Sequence, residues 1–545
     1  MAKAESFIKG TIILAMAALV ARVLGLAQRV PLEHLLGFTG DAAFSIANNV
    51  YLMLLAVATA GIPSTLSKMV SERYALGRPH EAQRIYYAAL LFAGAAGIVM
   101  TLLLYFGAPY YAAMSKEPAA ALSLQAIAPS LLLFPTIAMM RGYFQGRNMM
   151  IAGGISQIVE QFARVFTAIL LAYLLLRIGY GDVEVAAGAS FGSVLGSIGA
   201  FAVMIYFTFK LRKQDAANRL EMKAAGEESV IPLGLIYKDI FKLSIPIVIA
   251  SLTIPAVNII DSSIIKPLLI DQVGNLAATA SLGILGQRAQ SIAGIPPILA
   301  IALSTSLIPI ISAAYARKEQ ENLQKQMTLA LRISVLTGVP IVLMLATAAY
   351  CINGLLFSSR DSVGADAPSI MALLTICTIF QITMMTSNSM LIGINKVNLS
   401  MVHVLAGIAL KLVLSLVLSQ FLGIYGIIAA TGLCFVLITI LNLRSLHQVV
   451  NFSVLGSRWP GFLITVVVLG LVGLGLNQAG IGLTAWMNDR VAFFLGCCMV
   501  GIATLILYPV MLVLLRVVRA EELSSYPKPL RKLLSPLMRL QSRKA

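Results

Sequence analysis

Residues 399–443 read LSMVHVLAGIALKLVLSLVLSQFLGIYGIIAATGLCFVLITILNL, an apolar run in which Lys411 is the only charged side chain. A membrane-spanning helix needs about 20 mostly apolar residues to cross roughly 30 Å of hydrocarbon. The run is therefore long enough for two crossings, and Leu422-Gly423 is its one break. We read it as two spans, 399–421 and 424–443; a different count at this turn is the alternative.

The same test finds segments along the whole chain, at 7–28, 42–63, 85–107, 121–140, 151–176, 186–209, 240–265, 281–312, 327–352 and 367–393. After the pair just quoted come 459–477 and 491–515, which makes fourteen spans. Composition agrees. Hydrophobic residues make up 59% of the chain and charged residues 12%, with a mean hydropathy of +0.89. A soluble protein carries about 25% charged residues to cover its surface, so most of this surface is expected to face lipid. The fold class is all-α and integral to the membrane. The N-terminal stretch from Lys3 to Arg29 superficially resembles a signal peptide, but its apolar part is too long for one and similar segments follow it. It reads as the first span.

A net charge of +17 raises nucleic acid as a partner, and the placement of the charges argues against it. With the N-terminus inside, 29 Lys and Arg fall in cytoplasmic loops and tails and 6 in outer loops: Arg29, Lys116, Arg177, Lys266, Arg360 and Arg490. Such an excess of inner Lys and Arg sets orientation in membrane proteins. Both termini are expected in the cytoplasm.

The two halves resemble one another. Met139-Met-Arg-Gly-Tyr-Phe-Gln-Gly146-Arg-Asn148 has a counterpart ending Gly393-Ile-Asn395, an offset that places Arg164 on Lys411. Ile62-Pro63-Ser-Thr-Leu-Ser67 parallels Ile308-Pro309-Ile-Ile-Ser312. Both halves begin on the inner side and cross six times, as parallel repeats related by an axis along the membrane normal do. The expected organisation is an N-lobe at 1–210, a cytoplasmic linker at 211–238, a C-lobe at 239–450, two further spans within 451–517, and a basic tail at 518–545. In that tail Leu530, Leu533, Leu534, Leu537 and Met538 share a helical face, the pattern of an interfacial helix; a disordered basic tail is the alternative.

Ionisable groups inside spans are costly, roughly 2.5–3.5 kcal/mol each on insertion scales, and usually mark a cavity or pathway. The candidates are Arg22, Asp41, Glu160, Arg164, Asp261, Arg288 and Lys411. Each has a structural alternative. Arg22 lies near enough to the outer end of its span to snorkel, and Glu160 and Arg164, spaced i, i+4, can neutralise each other. Asp41 follows Thr39-Gly40 and can be an N-cap, and Asp261 can pair with Arg288. Lys411 is the deepest cation and is read as facing the cavity. Cations outnumber acids at depth, which suits an anion: guanidinium groups grip phosphate oxygens bidentately and lysine adds a point charge. The five cysteines (Cys351, Cys377, Cys434, Cys497 and Cys498) lie in apolar stretches without metal-ligand spacing. The four histidines are scattered. Motifs for ATP hydrolysis, zinc proteolysis or dinucleotide binding do not occur, and neither an enzyme nor a cofactor is expected.

Three further passages carry a family resemblance. Phe7-Ile-Lys-Gly-Thr with Ala21-Arg22-Val-Leu-Gly25, then Gly61-Ile-Pro63-Ser-Thr-Leu-Ser67-Lys68-Met-Val-Ser71-Glu72, and Ser306-Leu-Ile-Pro309-Ile-Ile-Ser312-Ala-Ala-Tyr-Ala316-Arg317 resemble the MurJ, YtgP and SpoVB-like polysaccharide transporters. These belong to the multidrug/oligosaccharidyl-lipid/polysaccharide flippase superfamily, and the likeness is greatest to the YtgP branch. The resemblance implies fourteen helices, two lobes about a central cavity, a lipid-tail groove by the last two spans, and outward flipping of an undecaprenyl-pyrophosphate-linked sugar, lipid II foremost. It places Arg22 on the family's arginine of the first span and Asp41 on an acidic position opening the second. Arg288 falls near a basic position of the eighth. A second family arginine falls on Gln28, with Arg29 displaced by one residue, and another falls near Leu54-Leu55. The pyrophosphate is then expected among Arg22, Arg164, Arg288 and Lys411, with Asp41 and Asp261 in the same cavity. The implied setting is the bacterial plasma (inner) membrane, with the bilayer and a lipid-linked oligosaccharide as partners, cell-wall synthesis enzymes as further ones, and a monomeric chain. Two other readings stand beside it: an ion-coupled exporter of cationic drugs, which calls for an acidic cavity, and a membrane scaffold that transports nothing.

Overall fold

The computed structural model describes residues 20–21, 23–25, 27–59, 61–147, 149–222, 232–298, 311–312, 314–357 and 366–518. Every regular element among them is a helix. Among the described residues eleven helices are long and apolar enough to cross a membrane, and the pair Ala120–Ile127 and Ser130–Gly146, bent by 40°, makes a twelfth if it is one span. Eleven of these fall on expected segments, and the twelfth, Thr253–Val273, overlaps only the second half of 240–265. The other two expected segments, 7–28 and 281–312, run outside the described residues, as do Pro309 of the repeated motif, the middle of the linker at 223–231 and the amphipathic pattern of the tail. The chain packs as two units, Met1–Gly286 and Gln287–Ala545.

The first unit holds α1 (Phe38–Thr59), α2 (Ile62–Ala75), α3 (Pro79–Met114), α4 (Ala120–Ile127), α5 (Ser130–Gly146), α6 (Met150–Ile178), α7 (Asp182–Met222), α8 (Leu233–Ser251), α9 (Thr253–Val273) and α10 (Asn275–Gly283). Leu66, Ile85, Ala89, Ile137, Tyr143 and Met204 form part of its core. α6 and α7 lie against one another along their length. Gly188, Gly192 and Gly196 repeat every fourth residue on α7, a spacing of small residues that lets helix backbones approach closely in lipid. A Cβ on Gly192 would sit 2.8 Å from the Arg164 carbonyl, and one on Gly196 would sit 2.9 Å from that of Glu160. The glycines thus press α7 onto the turn of α6 that carries both charges.

At 41 residues α7 is about 60 Å long at 1.5 Å per residue, twice the hydrocarbon thickness. Its last turns must therefore leave the membrane. There Arg147 grips Asp215 through two bonds of 2.7 and 2.8 Å, with its guanidinium over the Tyr74 ring. Several helices overrun their expected ends. The segment expected at 240–265 breaks at Leu252 into α8 and α9, and α9 continues to Val273. Lys266, expected in an outer loop, is instead a buried residue of α9.

The second unit holds α11 (Gln320–Thr347), α12 (Ala349–Leu356), α13 (Ala367–Gly393), α14 (Val397–Leu422), α15 (Ile424–His447), α16 (Trp459–Gly482) and α17 (Asp489–Leu514). The apolar run at 399–443 forms the hairpin α14–α15. Gly423 turns it at φ 57°, a left-handed conformation open to glycine. Gly426 then lies against the Leu418 carbonyl with no space for a side chain. Leu336, Leu469 and Leu512 join α11 to α16 and α17, and the Tyr508 hydroxyl donates to the Leu336 carbonyl at 2.7 Å.

Candidate functional site

Asp41, Ser45, Asn48 and Asn49 stand on α1 at i, i+4, i+7 and i+8, a spacing that lines one helix face. All four are buried. A buried polar group is unfavourable until it is hydrogen-bonded, and the neighbouring helices supply partners from two sides. Asn49 Nδ2 donates to Ser262 Oγ of α9 at 2.7 Å. Asn48 Oδ1 accepts from Arg164 Nη2 of α6 at 2.7 Å. Between them Ser45 faces Gly286, whose bare Cα is what lets the two segments meet.

The charges on α6 do not neutralise each other as their spacing suggests. Arg141, from α5, donates to Glu160 Oε2 at 2.7 Å and to Ser156 Oγ at 2.9 Å. Arg164, one turn on from Glu160, turns to Asn48, and its guanidinium lies 5.2 Å from the centroid of the Tyr51 ring. Tyr51 is held edge-on by Phe134, centroids 5.6 Å apart. The partners of Arg164 among the described residues are thus a neutral amide and an aromatic face, which orient the guanidinium and leave its charge uncompensated. The group is half-buried. Arg29, whose Nη1 donates to the Gly286 carbonyl at 2.9 Å, is near enough to repel it electrostatically.

Of the residues singled out by sequence, Arg22 lies outside the described residues. Asp41 is buried in the first turn of α1, three residues past the helix start, so it is not an N-cap; its Cβ packs on Gly283. Asp261 is buried on α9 beside Ser262. The face of α1 therefore brings Asp41, Arg164 and the Asp261 turn of α9 around one helix. In the second unit, Arg288 lies in a π-helical turn, Ile284–Ala289, that begins in the first unit, and its guanidinium is 5.7 Å from the centroid of Phe357. Lys411 is fully enclosed: Nζ donates to Thr431 Oγ1 at 2.7 Å within the α14–α15 hairpin. Arg164 and Lys411, aligned with each other by the sequence pattern, differ in setting: one is half-buried and the other sealed.

Sequence reasoning missed Arg141, placed in a loop because α5 was expected to end at 140; it missed Arg332 of α11, whose Nε donates to the Val454 carbonyl at 2.9 Å. Arg332 carried a readable signal, a lone cation inside an apolar span. Arg141 carried none that names its partner. The chemistry of the arrangement in the first unit is electrostatic: an oriented guanidinium in low-dielectric surroundings, suited to holding an anion.

Residues 7–315 match the family described as "Polysaccharide biosynthesis protein", and 246–417 match MatE. The chain is 28% identical over 443 residues to the uncharacterized membrane protein YabM of Bacillus subtilis, covering 81% of this chain and 80% of that one. It is 24% identical over 483 residues to the lipid II flippase MurJ of the same organism, covering 86% and 88%. Among solved structures, lipid II flippase MurJ in an inward closed conformation superposes with a TM-score of 0.65 at 15% identity, covering 92% of this chain and 99% of that one.

Proposed function

The chain belongs to the polysaccharide biosynthesis protein family, and from that premise we propose that it flips an undecaprenyl-pyrophosphate-linked cell-wall precursor, lipid II foremost, from the inner to the outer leaflet. As a member of that family it is a multi-pass membrane transporter and not an enzyme. The observation that carries the substrate class is the charge on Arg164. With Glu160 held by Arg141, the oriented guanidinium meets no opposite charge among the described residues, at the middle of a membrane helix. A diphosphate satisfies it by a charge-assisted, bidentate contact. Arg22, in the first expected span, is assigned to the same anion.

The proposed route is alternating access, with the repeats at 1–210 and 239–450 as the moving lobes, the linker at 211–238 between them, and 451–517 beside the lipid tail. Both termini are placed in the cytoplasm. Export in that direction is downhill in charge: one charge moved through 100 mV is worth about 2.3 kcal/mol, so two negative charges leaving a negative interior gain about 4–5 kcal/mol. An exporter of small cations is the poorer fit, because the carboxylate at the middle of α6 is engaged by Arg141. The test is thermal stabilisation of the purified protein by undecaprenyl pyrophosphate. The diphosphate should raise Tm, undecaprenol should not, and Arg164→Ala should abolish the difference. Equal shifts with both lipids contradict the reading.

A further inference from the structure

Buried hydrogen bonds join α9 and α10 to the helices that precede them. Lys266 Nζ donates to Glu117 Oε2 at 2.6 Å, and Thr279 Oγ1 donates to the same oxygen at 3.2 Å. The Tyr111 hydroxyl and Ser263 Oγ are 2.6 Å apart, and Asn49 donates to Ser262. Ser262, Ser263 and Lys266 lie on one side of α9, so these bonds form a single seam. The ion pair is almost fully enclosed, with Lys266 5% and Glu117 4% exposed.

A buried ion pair is a poor source of net stability. Stripping water from both charges offsets most of their attraction, while removing one partner strands the other. It differs from an apolar contact in what happens on opening. Apolar surface is penalised when it meets water, whereas two separated ions recover their hydration. A seam built from an ion pair and hydroxyls can therefore close tightly and still open, as a two-state contact must.

Its place in the bundle indicates what it closes. Glu117 follows the C-terminal end of α3, and the Arg73–Glu81 pair sits at the N-terminal end, 36 residues of helix away. In the orientation proposed above, Glu117 lies at the outer mouth. By sequence α9 and α10 open the second repeat, yet they pack within the unit Met1–Gly286; the seam is what ties them there.

We infer that Glu117, Lys266 and Thr279, with Tyr111 and Ser263 alongside, form a latch that holds α9–α10 shut against α1 and α3 and releases in the state that opens outward. The inference rests on the transport reading for what the latch serves, and its test needs no substrate. Ser281 is a buried residue of α10 two positions past Thr279. Full-length Ser281→Cys protein in nanodiscs is exposed to a water-soluble maleimide, and labelling at that position is followed by peptide-resolved mass spectrometry. Labelling should be slow in the parent, several-fold faster with Glu117→Lys or Lys266→Glu, and slow again when both reversals are combined. If the single reversals do not accumulate, Glu117→Gln, which keeps the shape and removes the charge, should also label several-fold faster. Single variants that label at the parent rate overturn the latch, and so does a double reversal that labels as fast as the singles. Loss of substrate binding, which would sink the transport reading, leaves every one of these rates unchanged.

Discussion

Arg141 Nη2 lies 2.7 Å from Glu160 Oε2 across the α5–α6 contact, and Arg164, one turn beyond Glu160 on α6, donates to Asn48 at the same distance. Three charges on two helices thus resolve into one neutral pair and one oriented cation. The pair is shielded, Glu160 being buried, while the cation is half-buried. The proposed binding of an anion rests on that division, and each link in it can be broken separately.

Removing the cation removes a charge-assisted hydrogen bond, which is worth about 1.5–3 kcal/mol. Arg164→Ala should lower affinity for undecaprenyl pyrophosphate roughly ten- to more than a hundredfold at unchanged protein level. Arg164→Lys should retain part of it, since a point charge cannot reproduce the guanidinium fork. Titration of the lipid against tryptophan-independent thermal shifts measures both.

Arg141 should matter without touching the anion. In Arg141→Ala, Glu160 is released and stands four residues from Arg164, the spacing at which opposite charges pair on a helix. The variant should bind undecaprenyl pyrophosphate as poorly as Arg164→Ala. Adding Glu160→Gln should restore binding, because no carboxylate then competes. A double variant as weak as Arg141→Ala alone would mean that Arg141 contributes directly.

Asn48 separates orientation from neutralisation. Asn48→Asp keeps an acceptor for Arg164 but turns it into a carboxylate, so anion affinity should fall nearly as far as in Arg164→Ala. Asn48→Ala leaves the charge and loosens its aim, and should cost less. The order of the two affinities is the measurement, and the reverse order would contradict the cradle.

The spans were legible because hydropathy accumulates along the chain and needs no knowledge of neighbours; even the turn at Gly423 is marked by a glycine in an otherwise apolar run. Helix ends were less so. Polar residues at Arg141 and Lys266 mimic loop starts, and each is met inside the protein by a carboxylate, Glu160 of α6 or Glu117 just after α3, so the helix continues through them. The candidate site was legible as a set of cations at depth and not as a geometry. Spacing alone pairs Glu160 with Arg164, but a well-placed Arg141 outcompetes it. The enclosure of Lys411 with Thr431 follows from how tightly α14 and α15 close on one another, which hydropathy does not record.

The proposed orientation rests on the placement of Lys and Arg in the sequence reading, 29 on the inner side and 6 on the outer, of which Lys266 proves to be a buried residue of α9. Reporter fusions after Lys68, Lys213 and Lys396 should read cytoplasmic, and fusions after Lys116 and Arg360 external. One inverted reading among the five would break the assignment of sides and with it the outward direction of transport.

The most direct measurement of the central claim is flipping of fluorescent lipid II in proteoliposomes that contain this protein alone. Lipid in one leaflet is quenched by a membrane-impermeant reductant, and the protected pool is followed with time. The account predicts that the protected pool becomes accessible with wild-type protein and stays protected with Arg164→Ala or in protein-free vesicles. Wild-type protein that leaves the pool protected, in vesicles where MurJ of Bacillus subtilis exposes it, would contradict the claim that this chain moves lipid II.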